Sequence, residues 1–323
     1  MVGMRHGRAQ LQYITIGGTR DGDVTHYQLH AIQDAGAQVA MGTILAPFMT
    51  RPMAVGVYDI PNAEARTTSV VTNTTPITAY RGAGRPEATA AIERAMDMFA
   101  AEIGMDAAEV RRINLIPKFL EPHTTSIGQT YDVGDYEGAL DKALEASGYA
   151  ELRAEQARRR ESGDSKLLGI GVSVYVEVTG GVGDMSEAAK IEVLDDGSAL
   201  VYTGTSPHGQ GHDTAWSMIA SDQTGIPMDR ITLIWGDTDL VPSGGGTMGS
   251  RSLQQGGAAV NQAAIELVDR AKELAAQVLE ADVADIVLDT DSGSFHVVGT
   301  PAVSTGWADL AVAAKAGGDD LTV

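Results

Sequence analysis

VPSGGGTMGSRSLQQGGAA, residues 241–259, is the stretch around which this chain is organised, and GTSPHGQGHDT, residues 204–214, is its shorter counterpart. Each follows an apolar, strand-like run and leads into a helical pattern, so both lie where a strand hands over to a helix. Glycine permits φ > 0 and close backbone approach, and the first N–H groups of a helix have no intrahelical acceptor. Several such donors aimed at one point bind a phosphate or another anion, with the helix dipole adding to the attraction. Ser243, Thr247, Ser250 and Ser252 add hydroxyl donors, and Gln210, Gln254 and Gln255 add amides suited to the edge of a nucleobase or a pterin. Either stretch alone also reads as an ordinary strand-to-helix turn with a Ser or Thr cap; two in succession favour the anion site.

Composition bounds what such a site can serve. The chain has 323 residues, 43% of them apolar, enough for a sizeable core and about two domains. Its formal net charge of −20 repels a phosphate backbone, which argues against nucleic-acid binding. There is no cysteine, so disulfides, thiolate nucleophiles, iron–sulfur ligation and Cys-type zinc sites within this chain are excluded. No apolar run is long enough to span a bilayer and the first residues carry no signal-peptide pattern, so a cytoplasmic, non-membrane protein is expected.

Residues 8–19 and 24–37 alternate apolar and polar types around Arg20-Asp21-Gly22-Asp23 and predict a β-hairpin, with His26 and His30 on one side of its second strand. Pro47, Pro52 and Pro61 break up 41–65 and argue for short strands and crossovers rather than a helix. A helix opens at Pro86-Glu87 and runs to about Ile103, followed by one capped by Asp106; residues 118–134 read as loop, and two further helices span 136–147 and 149–161. The charged run 158–165 marks a domain boundary. Beyond it, 167–178, 188–194 and 199–205 alternate as a strand meander, with Gly180-Gly181-Val182-Gly183 as a flexible tip. Helices are expected at 214–224, 254–276 and after Ser304, and strands at 231–235, 283–288 and 294–298.

Several enzyme classes fail on the residues. Ser206, His208, His212 and Asp213 lie close together in sequence without the G-x-S-x-G elbow of a hydrolase. His208 and His212 lack the glutamate of an H-E-x-x-H zinc site, no Walker sequence is present, and Gly82-x-Gly84 lacks the third glycine of a dinucleotide fingerprint. Arg81 stands just ahead of a helix N-terminus with glycine beside it; it can hold an anion there or form a salt bridge to one of the many acids.

Taken in order, the segments TAYRGAGRPE at 78–87, Gly204-Thr205 with Gly209-Gln210-Gly211, Gly236-Asp237-Thr238-Asp239 and GTMGSRS at 246–252 resemble the molybdenum-binding large subunit of the xanthine dehydrogenase, aldehyde oxidase and carbon monoxide dehydrogenase family. The resemblance covers nearly the whole chain. It implies an α+β fold of two mixed α/β domains, both incomplete: 1–160 as the end of a first molybdenum-binding domain and 161–323 as the start of a second. It implies molybdopterin, in the cytosine dinucleotide form usual in bacteria, and hydroxylation of a small carbon substrate with oxygen from water. Cofactor-binding positions by this likeness are Gly209, Gln210, Gly211, His212 and Thr214 in one loop, and Thr247, Met248, Gly249, Ser250, Arg251 and Ser252 in the other. Arg81 matches the arginine beside the metal centre, and Tyr80, Gly82 and Ala83 fall in the substrate pocket; no protein ligand to the metal is implied. Iron–sulfur and FAD subunits or domains are the implied partners.

The departures narrow the reading. Carbon monoxide-oxidising members carry a copper-binding cysteine where this chain has Gly82, and xanthine-type members carry a phenylalanine where it has Ala83, so neither substrate is indicated. The family's glutamine-bearing glycine loop would precede residue 1, and its catalytic glutamate would follow residue 323. An internal fragment of a longer subunit, inactive and cofactor-free alone, is therefore expected; a non-catalytic binding or scaffold protein reusing the fold is the alternative.

Overall fold

The alternation on either side of the Asp21-Gly22 turn builds a hairpin, β1 (Gln10–Gly18) antiparallel to β2 (Val24–Gly36), with Leu11 opposite Ile32 and Tyr13 opposite His30. Tyr27, Leu29 and Ala31, two apart on β2, are fully buried, as a period of two on a one-sided sheet requires. The computed structural model describes residues 4–39, 41–180 and 186–323, and the chain divides into two units, Met1–Glu177 and Val178–Val323. The expected tip at Gly181, Val182 and Gly183 lies outside the described residues.

In the first unit β2 is followed by α1 (Met41–Thr50) and by β3 (Asn62–Val71), which pairs parallel to β2. The helix α1 corrects the expectation that prolines would keep 41–65 out of helix. Pro47 has no N–H to donate one turn back to the Thr43 carbonyl, and the fully buried Gln33 supplies the missing donor, its Nε2 lying 2.6 Å from that oxygen. Then come α2 (Arg85–Ile103) and α3 (Ala107–Asn114). The helix α2 buries Ile92, Met96 and Phe99, each worth roughly 1.5–3 kcal/mol of transfer free energy, and stops at Gly104 in the left-handed region. Within the segment expected as loop, β4 (His123–Thr124) and β5 (Thr130–Tyr131) form a short ladder; α4 (Tyr136–Ser147) and α5 (Tyr149–Glu161) follow.

A second correction concerns 167–178. The segment is extended, and its apolar residues Val172, Val174 and Val176 pack on the first core, yet it pairs with no strand among the described residues.

The second unit opens with β6 (Ala189–Val193) antiparallel to β7 (Ala199–Thr203), then α6 (His212–Thr224) and β8 (Ile231–Ile234), which lies parallel to β7. The helix expected from Gln254 starts with a wide π-type turn at Ser252–Gly257 before α7 (Ala258–Val278). Close packing requires glycine in that turn: a Cβ on Gly256 would lie 2.8 Å from the Thr205 side chain, and one on Gly257 3.2 Å from the Trp216 ring. A sheet of β9 (Ile286–Asp289), β10 (Ser294–Val297) and β11 (Thr300–Gly306), the last unforeseen, leads to α8 (Trp307–Ala316). Trp216, Leu267, Phe295, Trp307 and Leu310 lie at the centre of this core. No described helix is long and apolar enough to cross a membrane.

Candidate functional site

Because β7 and β8 are parallel neighbours, the chain leaves both at the same edge of the sheet, and each exit is one of the two glycine-rich stretches. Parallel strands place their carboxyl-end loops side by side, which is why ligand sites of mixed sheets gather there. The two stretches singled out from sequence accordingly meet. A Cβ on Gly204 would lie 2.5 Å from the Gly244 Cα, so the backbones cross in contact that any side chain would prevent. The Thr247 hydroxyl donates to the Ser206 carbonyl at 2.7 Å, and Trp235 Nε1, just past β8, donates to Asp213 at the start of α6 at 3.1 Å.

Beneath this crossing lies a buried ion pair. Arg251 Nη1 is 2.8 Å from Glu187 Oε1, which also accepts the Gly245 N–H at 2.9 Å. The guanidinium also donates to Gln255 Oε1 at 2.8 Å and to the Ser186 carbonyl at 3.2 Å, and Gln255 Nε2 donates to the Gly180 carbonyl at 3.0 Å. A Cβ on Gly245 would fall 1.7 Å from Arg251 Nη1. Arg251 thus supports its loop from below, enclosed by protein. Sequence reasoning missed Glu187, an isolated acid far from both loops with no motif to mark it.

The outer rim is open. Gly209, Gly211 and Gly246 have φ of +98°, +80° and +80°, and the space a Cβ would occupy at each is empty. Unlike α3 and α4, whose first turns are capped by Asp106 and Asp135, α6 has no side-chain cap, which leaves the N–H groups of His212, Asp213 and Thr214 available. His212 is buried and stacked on Trp216 at 4.9 Å, its Nδ1 without a partner among the described residues. Burial holds its pKa below the usual histidine value, keeping the ring neutral. Thr214, Met248, Gly249 and Ser250 are exposed and Thr247 and Ser252 half-buried; Gln210 turns its side-chain oxygen onto the His208 N–H of its own loop. Gly249 and Ser250 both have positive φ, 62° and 57°.

The remaining expected positions belong to the first unit. Tyr80 and Arg81 are exposed, Gly82 half-buried and Ala83 buried. The Arg81 side chain has no acid partner among the described residues, whereas its carbonyl accepts from Arg8, whose guanidinium lies 5.1 Å from the Tyr80 ring centre. Glu87 occupies the mouth of α2: its Oε2 accepts the Gly84 N–H at 2.8 Å and pairs with Arg8 Nη1 at 2.9 Å. The donors beside Arg81 are thus partly committed to protein acceptors.

A crossing of two glycine-bearing loops beside an uncapped helix mouth, with hydroxyls and a buried imidazole whose Nδ1 has no partner among the described residues, suits a group rich in phosphate and ring-nitrogen atoms. Sequence comparison agrees. A family profile described as molybdopterin cofactor-binding domain matches residues 142–323, and a second of the same description matches 1–115. The chain belongs to the molybdopterin cofactor-binding family. It is 37% identical over 310 residues to the carbon monoxide dehydrogenase large chain of Hydrogenophaga pseudoflava, covering 92% of this chain and 38% of that one. It is 32% identical to the nicotine 6-hydroxylase large subunit of Paenarthrobacter nicotinovorans, covering 95% and 39%. The crystal structure of quinoline 2-oxidoreductase from Pseudomonas putida 86 superposes over 100% of this chain and 43% of that one, with a TM-score of 0.85 at 29% identity. This molybdopterin-family chain therefore spans about two fifths of the length of the relatives it matches.

Proposed function

We propose that this chain is the cofactor-holding part of a molybdenum hydroxylase catalytic subunit, one that hydroxylates an aldehyde, a heterocycle or a similar small carbon substrate with oxygen from water. The observation that carries the reading is the crossing of the two glycine-rich loops at the common edge of β7 and β8, beside the uncapped mouth of α6. When bound, a molybdenum–molybdopterin cytosine dinucleotide would supply the two-electron oxidation. Gly209, Gln210, Gly211, His212 and Thr214 would hold it through backbone N–H groups and the neutral imidazole, and Thr247, Met248, Gly249, Ser250, Arg251 and Ser252 would form the second wall. In that wall Arg251 would act through the loop it supports, since its guanidinium is already engaged. The exposed Arg81 guanidinium, with no acid partner among the described residues, would place positive charge at the reacting end, and Tyr80, Gly82 and Ala83 would shape the substrate side.

The domain reading follows the family likeness: 1–160 would close a first molybdenum-binding domain and 161–323 would open a second, although 161–177 falls in the first compact unit. Iron–sulfur and FAD subunits would carry electrons away from a cytoplasmic enzyme. These assignments rest on the family likeness together with the loop geometry.

The test is molybdenum and pterin analysis of the longer subunit purified with its partners, followed by a panel of aldehydes and heterocycles. One equivalent of each, with turnover on some member of the panel, is expected. Absence of both from subunit purified out of molybdenum-replete cells would refute the reading. Residues 1–323 expressed alone are expected to retain no pterin fluorescence.

A further inference from the structure

Residues 167–176 carry a strand pattern without a strand partner. Leu168, Ile170, Val172, Val174 and Val176 alternate with the exposed Gly169, Gly171, Ser173 and Tyr175, and the valines pack on the first unit's core. In an extended chain the N–H and C=O of one residue point to one lateral edge and those of the next residue to the other. The two backbone bonds this segment makes among the described residues both come from even-numbered residues. The Leu168 carbonyl accepts from Gln156 Nε2 at 2.9 Å, and the Val174 N–H donates to Glu93 Oε2 at 3.1 Å. Glu93 is itself held by Arg111 at 2.8 Å and by the Tyr58 hydroxyl, so that edge is anchored to a buried network. The odd-numbered edge, with the N–H and C=O of Gly169, Gly171, Ser173 and Tyr175, has no partner among the described residues.

We propose that this edge receives a β-strand from polypeptide of the same subunit outside residues 1–323, giving a strand partner to a segment that core packing and side-chain hydrogen bonds hold in place here. The inference rests on the proposed role of the chain as part of a longer subunit. Alternation over ten residues is the signature of a strand in a sheet, and an open edge of this kind templates another strand. The relatives matched here have about three fifths of their length outside the matched region, 38% and 39% of two of them being covered. A second copy of this chain is disfavoured, since each copy carries a formal net charge of −20. A strand tethered in the same polypeptide needs little intrinsic affinity to dock.

Amide hydrogen exchange, read on residues 1–323 and on the longer subunit, tests this. In residues 1–323 the amides of Gly169, Gly171, Ser173 and Tyr175 should exchange as free amides while Val174 is protected. In the longer subunit all should slow by at least about tenfold. The Ser173→Pro variant removes one odd-edge N–H. It should leave the melting temperature of residues 1–323 unchanged but lower that of the longer subunit and restore fast exchange at the edge. Fast exchange at the odd edge in a longer subunit that contains pterin would overturn strand docking and leave the cofactor reading intact. Protection in a subunit without pterin would do the reverse. Concentration-dependent dimerisation of residues 1–323 abolished by Ser173→Pro would overturn the proposed occupant in favour of a second copy.

Discussion

Glu187 and Arg251 have side-chain exposures of 1% and 0%, so each is a charge withdrawn from water and held by the other. Removing one member of such a pair leaves the second uncompensated, at a cost of about 3–5 kcal/mol. Glu187→Gln is therefore expected to destabilise the second unit by an amount in that range in urea unfolding. The double variant Glu187→Leu with Arg251→Met should recover much of it, and a double variant as unstable as the single one would contradict this account. His212 gives a pH dependence whose sign is set by burial. Its folded pKa lies below the unfolded one, so the unfolded chain binds more protons, and stability is fully present above the unfolded histidine pKa and falls as pH drops below it. Urea midpoints of the wild type should fall between pH 7.5 and pH 5 by more than those of His212→Phe, which keeps a ring on Trp216; parallel slopes would disprove it. At this scale sequence was a partial guide. Arg251 stood out by its motif, but its work beneath the loop depends on Glu187, sixty-odd residues earlier and unmarked by any pattern.

The loops and helices show which glycines matter and why. Gly204 needs to lack a side chain because another backbone passes through that space, whereas Gly209 needs a positive φ and has open space beside it. Gly204→Ala is expected to cost about 1–3 kcal/mol by overpacking, and Gly209→Ala about 1–2 kcal/mol by backbone strain alone. In the longer subunit Gly204→Ala should also lower pterin content, because it forces the two loops apart; unchanged content with a distorted crossing would count against the site. In the first unit, Gln33→Leu strips the Thr43 carbonyl of its donor and should cost about 1–3 kcal/mol. Adding Pro47→Ala returns a backbone N–H to that carbonyl and should suppress part of the loss, a double-mutant cycle read by thermal melting. Helix starts and stops were legible because capping residues and terminal glycines act within one turn. The helix containing Pro47 was not, because its compensating donor comes from a strand.

All three tryptophans, Trp216, Trp235 and Trp307, lie in the second unit, so intrinsic fluorescence follows that unit while far-ultraviolet circular dichroism follows both. Arg111→Met strands the buried Glu93 carboxylate and should destabilise the first core by about 3–5 kcal/mol. The expected outcome is an earlier dichroism transition with the fluorescence transition in place; coincident shifts would mean that the two units unfold as one. By itself the sequence determined the hairpin at 8–37, the extents of α2, α4 and α5, the two glycine-rich turns and, through the order of its motifs, the molybdopterin family. These follow from short-range rules: apolar periodicity, caps, and backbone angles open only to glycine. The tertiary structure alone decided that β7 and β8 run parallel and so bring the two turns together, that Glu187 lies beneath them, that α1 tolerates a proline, and that 167–176 keeps one edge unpaired. Each of these depends on contacts outside the local segment, from ten residues away for Gln33 to sixty-odd for Glu187, and local propensity carries no information about which other segment will supply the missing hydrogen bond or charge.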